Sequence, residues 1–120
     1  MAFTVFVYGT LLPGQPRWPP LAAYAESWLP AVARGTLWDT GLGYPAAVFS
    51  PAGGEIPGVA VRLRPEEYDR AIRHLDDVEV EGVLYRRVEI ATSRGPAVTY
   101  EWLGETTGFR LLPAGWLTDG

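Results

Sequence analysis

Glycine and proline are the residues that most constrain how this chain can fold. The 14 Gly and 11 Pro residues are spread along all 120 positions and divide the chain into short pieces. Such spacing favours several short strands and leaves little room for long helices. Apolar residues make up 48% of the chain and charged residues 20%, which is the balance of a globular protein. At this length we predict a single domain that covers residues 1–120.

Apolar runs between these breaks predict the order of the elements. Strands are expected at residues 3–7, 31–38, 44–49, 58–63, 84–90 and 97–103. A short helix is predicted at Leu21–Trp28, because the prolines before it stand where a helix tolerates them. Pro51–Glu55 is predicted to be a loop and Pro113–Gly120 to be irregular. Together with one clear helix after residue 64, this pattern predicts an α+β fold with a mostly antiparallel, barrel-like sheet.

Residue types that are absent or rare exclude several kinds of site. There is no Cys, which excludes disulfides, thiolate metal sites and a cysteine nucleophile. The single His, His74, excludes a multi-histidine metal site and is expected to be exposed to solvent. All ten basic residues are Arg, so no lysine can form a Schiff base or bind a phosphate.

Charge and hydropathy also limit the partners of the protein. A net charge of −4 without any basic run argues against nucleic acid as the main partner. No apolar stretch approaches the roughly 20 residues of a membrane span, and the N-terminus lacks the pattern of a signal peptide. We therefore expect a cytoplasmic protein that binds neither nucleic acid nor membranes.

The clearest helical pattern places an acid among apolar residues. It runs from Pro65 to Glu79 and has one apolar stripe, formed by Tyr68, Ala71, Ile72, Leu75 and Val78. At about 100° per residue, Glu79 falls near the middle of this stripe, whereas Asp77 and Glu81 point away from it. A carboxylate on a buried stripe loses hydration, so its pKa rises and it becomes a candidate general base. Alternatively, the helix ends near Asp76 and Glu79 turns into solvent.

Two segments of this chain resemble the gamma-glutamylcyclotransferase-like family, which includes gamma-glutamylamine cyclotransferases and AIG2-like proteins. Tyr8-Gly9-Thr10-Leu11 is similar to the turn that follows the first strand of that family. Leu75-Asp76-Asp77-Val78-Glu79, with Tyr85-Arg86-Arg87 downstream, resembles its Leu-Asp-x-x-Glu helix end and the strand after it. Weaker matches follow in the same order at Gly43-Tyr44-Pro45-Ala46, Gly58-Val59-Ala60-Val61 and Pro113-Ala114-Gly115-Trp116.

One departure from the family pattern concerns the catalytic residue. The family commonly has Gly directly after its catalytic Glu, but here Val80 follows Glu79 and Gly82 follows Glu81. Counting forward from Leu75 selects Glu79, and counting back from Gly82 selects Glu81. Because the helical pattern independently favours Glu79, we take Glu79 as the predicted catalytic residue.

The resemblance implies a small β-barrel flanked by a few short helices, with a cavity at one end. It also implies a reaction without cofactor, metal or water. The α-amine of a small γ-glutamyl amine or peptide attacks its own γ-carbonyl and releases 5-oxoproline and a free amine. Glu79 would act as general acid and base in this reaction, since the α-ammonium must lose a proton before it can attack.

The resemblance further assigns substrate-binding roles. The turn that contains Tyr8 and Gly9 would approach an anion closely, and Thr10 and Leu11 would present N–H groups to it. Without the resemblance, a plain strand-to-loop turn is the simpler interpretation. Two further pocket-lining candidates are Tyr44 and Tyr85, for which ordinary strand core is the alternative.

The two arginines after Tyr85 form a second pair of candidates. Arg86 and Arg87 alternate along a strand, so one is expected to point inward, either onto a substrate carboxylate or into a structural ion pair with Asp76.

Two other functions compete with this interpretation. The same barrel could be a non-catalytic module that binds a small carboxylate or amide, because a fold does not determine a function. A small barrel could also bind single-stranded nucleic acid, although the net charge of −4 opposes this. The sequence leaves the leaving amine and the oligomeric state open.

Overall fold

The described part of the chain, residues 3–116, forms a β-barrel with short helices in a computed structural model. Its strands are β1 (Thr4–Val7), β2 (Ala25–Asp39), β3 (Pro45–Phe49), β4 (Gly54–Leu63), β5 (Tyr85–Thr92), β6 (Gly95–Trp102) and β7 (Arg110–Leu111). Its helices are α1 (Trp18–Ala22) and α2 (Tyr68–Val78), and a 3₁₀ turn (Pro65–Glu67) leads directly into α2. Neither of these helices is long and apolar enough to cross a membrane.

Five strands close the barrel in the order β2–β4–β1–β6–β5. The ring is completed where β5 returns to β2, at the pair Ala33 and Thr92. All neighbours are antiparallel except β1 and β6, which run parallel around Val5 and Val98. Strands β3 and β7 extend the sheet by pairing with β2. This topology confirms the predicted α+β fold, a small and mostly antiparallel barrel flanked by short helices.

The alternation of side chains along β1 divides the core into two clusters. Phe6 and Tyr8 join a cluster made of strand residues and Leu112. Val5 and Val7 point the other way, into a cluster that also contains the buried residues of α1 and α2: Leu21, Ala71, Ile72 and Leu75. Because successive strand residues point to opposite faces, β1 packs against both clusters at once. Its C-terminal end, where the candidate turn begins, is therefore firmly supported.

The predicted helix at Leu21–Trp28 is wrong over most of its length. Helix α1 ends at Ala22, and β2 already begins at Ala25 and pairs with β4 along Trp28. Pro30 also lies within β2, although the predicted strand began only at residue 31. Strands tolerate proline where one side of the backbone has no ladder partner, and β2 meets β5 only at Ala33. Long-range pairing with β4 thus outweighs the local helical signal.

The other predicted strands lie within two residues of the observed bounds, except that β2 begins six residues and β4 four residues earlier than predicted. Pro51–Glu55 is shorter as a loop than expected, because β4 begins at Gly54 and pairs there with Gly35. Residues 113–116 lie outside helices and strands, as predicted, and residues 117–120 of that prediction lie outside the described residues. His74, expected to be exposed, is half-buried with its ring 6.3 Å from that of Tyr24.

Helix α2 ends at Val78, and the next two residues change the direction of the chain. Glu79 keeps a near-helical conformation, and its N–H donates to the Leu75 carbonyl at 2.9 Å. Val80 then has φ +50°, the left-handed region that favours glycine. The position where the family commonly has Gly therefore has the backbone conformation of a glycine, although the residue here is valine.

Replacing Val80 with Gly is expected to stabilise the protein by about 0.5–1 kcal/mol. Left-handed backbone costs a residue with a Cβ atom about 1–2 kcal/mol, and the greater freedom of glycine in the unfolded chain offsets part of the gain. Urea unfolding measures the change. The matched control is Val83→Gly, because Val83 is also exposed but has no positive φ, so this change should destabilise. Equal losses in both variants would contradict the strain at Val80.

Candidate active site

A pocket lies where the turn after β1 meets the C-terminal end of α2. Its empty volume is about 330 Å³, including the part that opens to solvent. The residues that line it are Phe6, Val7, Tyr8, Gly9, Thr10, Leu11, Tyr44, Pro45, Glu79, Tyr85, Thr99 and Tyr100. Every residue predicted for the site is among them, so the fold brings together residues that are up to 77 positions apart, from Tyr8 to Tyr85.

Glu79 is the carboxylate that lines this pocket. It caps α2 and is half-buried, so the alternative in which it turns into solvent does not hold. Burial raises the pKa of Glu79 from its ordinary 4.5 to about 7, against a smaller opposing effect of the Arg17 charge. A carboxyl group with this pKa can accept and return a proton near neutral pH.

Glu81, the competing candidate, lies outside the pocket. Its side chain is exposed, and its Oε2 accepts a 3.4 Å hydrogen bond from the backbone N–H of Arg87. The two alignments of the Leu-Asp-x-x-Glu segment therefore place very different carboxylates in the catalytic position. Of these two, the geometry favours Glu79.

The turn after β1 contributes Thr10 and Leu11 to the lining of the pocket. Two of its carbonyls are used internally, since Leu12 N–H donates to Gly9 O and Arg17 N–H donates to Thr10 O, both at 3.0 Å. Within residues 3–116, the N–H groups of Thr10 and Leu11 donate to no protein acceptor. Buried or half-buried donors of this kind call for a partner from outside the protein. Their arrangement suits a negatively charged oxygen.

Gly9 has a packing role that the sequence did not reveal. A Cβ atom at this position would come within 2.5 Å of Cγ and 2.7 Å of Cδ of Pro45. The missing side chain thus lets the start of β3 pack against the turn. In this way Gly9 brings the two walls of the pocket together, in addition to any approach of an anion to its backbone.

The tyrosines form the pocket wall with their polar ends already bonded. Tyr8 donates its hydroxyl hydrogen to the Tyr100 carbonyl, and Tyr85 donates to the Pro45 carbonyl. Burial raises the pKa of both phenols, so they stay protonated. Tyr44 lies half-buried, with its ring 6.5 Å from that of Tyr85. These residues shape the pocket, and Glu79 is the residue with a carboxyl group among those that line it.

Arg17 is a nearby charged residue that sequence reasoning missed. Its Nη1 donates to the Val78 carbonyl at 3.3 Å, which places a cation at the C-terminal end of α2. A cation is favoured there because the last carbonyls of a helix carry partial negative charge. A separation of 61 positions between Arg17 and Val78 hides this contact from any local pattern.

Replacing Arg17 with Gln is expected to move the titration of Glu79 upward. Burial raises the pKa of Glu79, and the Arg17 charge lowers it. Without that charge the pKa should rise further, so the carboxyl group keeps its proton to higher pH. The ¹³C NMR titration profile of the Glu79 carboxyl carbon should therefore shift to higher pH. Arg94→Gln is the control, because Arg94 is an exposed arginine bonded to the Pro30 carbonyl. Equal profiles for both variants would contradict the effect.

The two arginines of β5 do not enter the pocket, contrary to the expectation that one points inward. Both side chains are exposed. Arg87 forms an ion pair with Asp76, which agrees with the structural alternative, and Arg86 pairs with Glu101 at 2.9 Å. Both arginines lie on the surface, and each is paired with an acidic residue. Neither is therefore placed to bind a substrate carboxylate in the pocket.

Groups of three or more His, Asp or Glu side chains that could hold a metal ion do not occur among residues 3–116. One carboxylate, that of Glu79, is among the residues that line the pocket, together with the rings of four tyrosines.

Comparisons with known proteins agree with this architecture. A solved structure from Pyrococcus horikoshii, an uncharacterised protein, superimposes with a TM-score of 0.74 at 24% identity over 96% of this chain and 89% of its own. The structure of a mouse AIG2-like protein superimposes with a TM-score of 0.69 at 20% identity, over 98% of this chain and 89% of its own. The structure of the Escherichia coli protein ytfP superimposes with a TM-score of 0.65 at 26% identity, over 97% of this chain and 96% of its own. No curated protein sequence matches significantly. Residues 5–118 match the family described as gamma-glutamyl cyclotransferase, AIG2-like, and the chain belongs to that family.

Proposed function

We propose that this protein is a γ-glutamyl cyclotransferase, which converts a small γ-glutamyl amine or peptide into 5-oxoproline and a free amine. The observation that carries the proposal is the pocket in which Glu79, with a pKa of about 7, lies beside the unbonded N–H groups of Thr10 and Leu11. One group can move protons and the other can bind negative charge. These are the two tasks that ring closure requires.

Glu79 has the role of general base and then general acid. Its carboxylate takes a proton from the substrate α-ammonium, and the free amine attacks the γ-carbonyl carbon to form the new C–N bond. The tetrahedral intermediate collapses when the leaving nitrogen receives a proton from Glu79 and the old C–N bond breaks. The ring nitrogen then loses its second proton to the Glu79 carboxylate, which passes it to the released amine, so two protons move in total and the products are 5-oxoproline and an ammonium ion.

The turn has the role of binding a negatively charged oxygen of the substrate. The N–H groups of Thr10 and Leu11 can receive the α-carboxylate or the developing γ-oxyanion, and fixed donors of this kind need no reorganisation during the reaction. The tyrosine rings confine the flexible glutamyl chain. Since the attack is intramolecular, holding the chain in one bent conformation supplies much of the rate enhancement.

A product assay tests the proposal. The wild-type protein is incubated with γ-glutamyl alkylamines, γ-glutamyl amino acids and an ε-linked γ-glutamyl-lysine, and 5-oxoproline, glutamate and amine are quantified. The proposal predicts 5-oxoproline in equal amount to the amine, without glutamate. Glutamate as the product would indicate hydrolysis instead. Binding without any turnover would favour the non-catalytic binding module.

A further inference from the structure

Asp76 has a carboxylate with both oxygens occupied by residues of the barrel. Tyr100, on β6, donates its hydroxyl hydrogen to Oδ1 at 2.7 Å, and Arg87, on β5, donates to Oδ2. The Tyr100 side chain is buried, with 3% exposure, so this link reaches into the core. The Asp76 carboxylate thus connects the last turn of α2 to two adjacent strands.

The backbone around Asp76 determines where Glu79 lies. The Asp76 carbonyl accepts a hydrogen bond from the Glu81 N–H at 3.0 Å, and this bond closes the turn that contains Glu79. A second contact strengthens the same corner, because the Arg87 backbone N–H donates to Glu81 Oε2 at 3.4 Å. The end of α2 and the following turn are therefore attached to β5 on both sides of Glu79.

The other end of this network reaches two residues that line the pocket, Tyr100 and Tyr8. The Tyr100 carbonyl accepts the hydroxyl hydrogen of Tyr8, and both tyrosines line the pocket. A continuous set of contacts thus runs from Arg87 through Asp76 and Tyr100 to Tyr8, beside the turn proposed to bind the substrate. The end of α2, which carries Glu79, and the turn after β1 are thus both attached to β6 through Tyr100.

We propose that Asp76 is a positioning residue: through Arg87 and Tyr100 it fixes the C-terminal turn of α2 against the barrel and so keeps Glu79 facing the pocket. The inference rests on the proposed function, because a fixed position of Glu79 matters for catalysis only if Glu79 moves protons. Asp76 touches no reacting atom in this scheme. Its effect is transmitted by the position of the helix end.

The test measures the titration of Glu79 directly in two variants with opposite charge changes. The carboxyl carbon is followed by ¹³C NMR in wild type, Asp76→Asn and Arg87→Gln. If the pair acts by positioning, both variants release Glu79 toward solvent, and both midpoints move down from about 7 toward 4.5. If the pair acts only through its charges, loss of an anion and loss of a cation shift the midpoint in opposite directions.

Kinetics provide the second measurement, with kcat expressed per folded molecule. We expect about a 10- to 100-fold loss of kcat in both variants, because small displacements of a catalytic group have effects of this size. KM should change less than kcat, since the proposed binding turn is left intact. The controls are the exposed neighbours Asp77→Asn and Arg86→Gln, which should match wild type. The double variant should lose no more than either single one, because both changes break the same contact.

The proposal is overturned by unchanged midpoints in both variants, by midpoints that move in opposite directions, or by a kcat per folded molecule within about twofold of wild type in an active enzyme. If wild type releases no 5-oxoproline, the proposed function fails, and the NMR midpoints alone decide whether Asp76 positions Glu79. Arg87→Gln changes an exposed side chain, so it keeps the test decisive if Asp76→Asn does not fold.

Discussion

Replacing Glu79 with Gln should lower 5-oxoproline formation by about 10²- to 10⁴-fold, the usual contribution of general acid–base catalysis. Gln has nearly the same shape as Glu but cannot accept a proton from the substrate α-ammonium. The turn with Thr10 and Leu11 stays intact, so the variant should still bind substrate. Steady-state kinetics on the best substrate, with calorimetric binding to the variant, measure both effects.

Glu81→Gln is the matched control for this experiment. Glu81 is two positions away and carries the same charge, but it is exposed and lies outside the pocket. It should retain activity within about threefold of wild type, as expected for a surface change away from the reacting atoms. Activity that survives in Glu79→Gln and disappears in Glu81→Gln would assign the base to Glu81. It would also support the alignment counted back from Gly82.

Glu79→Gln should also stabilise the protein relative to wild type as the pH rises. The difference in free energy of unfolding between the variant and wild type should increase in favour of the variant by about 2 kcal/mol from pH 5 to pH 8. The pKa of Glu79 is raised from 4.5 to about 7 by burial, so the folded state holds its proton more tightly than the unfolded state. Below pH 4.5 both states are protonated and the cost is absent. It develops as the pH rises from 4.5 to 7 and is complete above that range.

The full difference in proton affinity corresponds to about 3 kcal/mol, and the partial exposure of Glu79 reduces the expected value to about 2 kcal/mol. Urea unfolding at pH 5 and pH 8 measures the free energy of unfolding of both proteins. A difference between Glu79→Gln and wild type that stays constant across this range would contradict a destabilising carboxylate at position 79. The expected result is a trade between stability and activity at a functional residue.

Local patterns in the sequence were sufficient to predict the parts of the site that depend on short-range geometry. The position of Glu79 follows from the 3.6-residue period of α2, and the helix end agrees to within one residue. Tyr8 directly follows β1, and the alternation of side chains places it in the same core cluster as Phe6. The resemblance to a known family then linked these two distant segments. Their meeting in one pocket could not be inferred from either period alone.

Features that depend on long-range contacts could not be predicted. The position of Arg17 beside α2 and the packing of Pro45 on Gly9 join segments that are far apart in the chain. No local preference of either partner signals such contacts. The misassigned helix at Leu21–Trp28 has the same cause, because pairing with β4 converts the second half of that segment into strand.

Val80 shows how a departure from a pattern can have a physical meaning. A missing Gly after Glu79 made two alignments possible, and the backbone at Val80 adopts the left-handed conformation nevertheless. The turn is thus imposed by its surroundings, including the bonds from Val83 N–H and Leu84 N–H to the Val80 carbonyl, both 3.0 Å. Conformational strain of this size is tolerated where neighbouring contacts determine the path of the chain.

The proposed function requires a carboxyl group at position 79 that keeps its proton close to neutral pH. The most direct test is a ¹³C NMR titration of the Glu79 carboxyl carbon in the wild-type protein, assigned by the loss of its signal in Glu79→Gln. We predict a titration midpoint near pH 7. A midpoint near the ordinary value of 4.5 would mean that Glu79 is ionised and hydrated, and it would contradict the proposed role as general base.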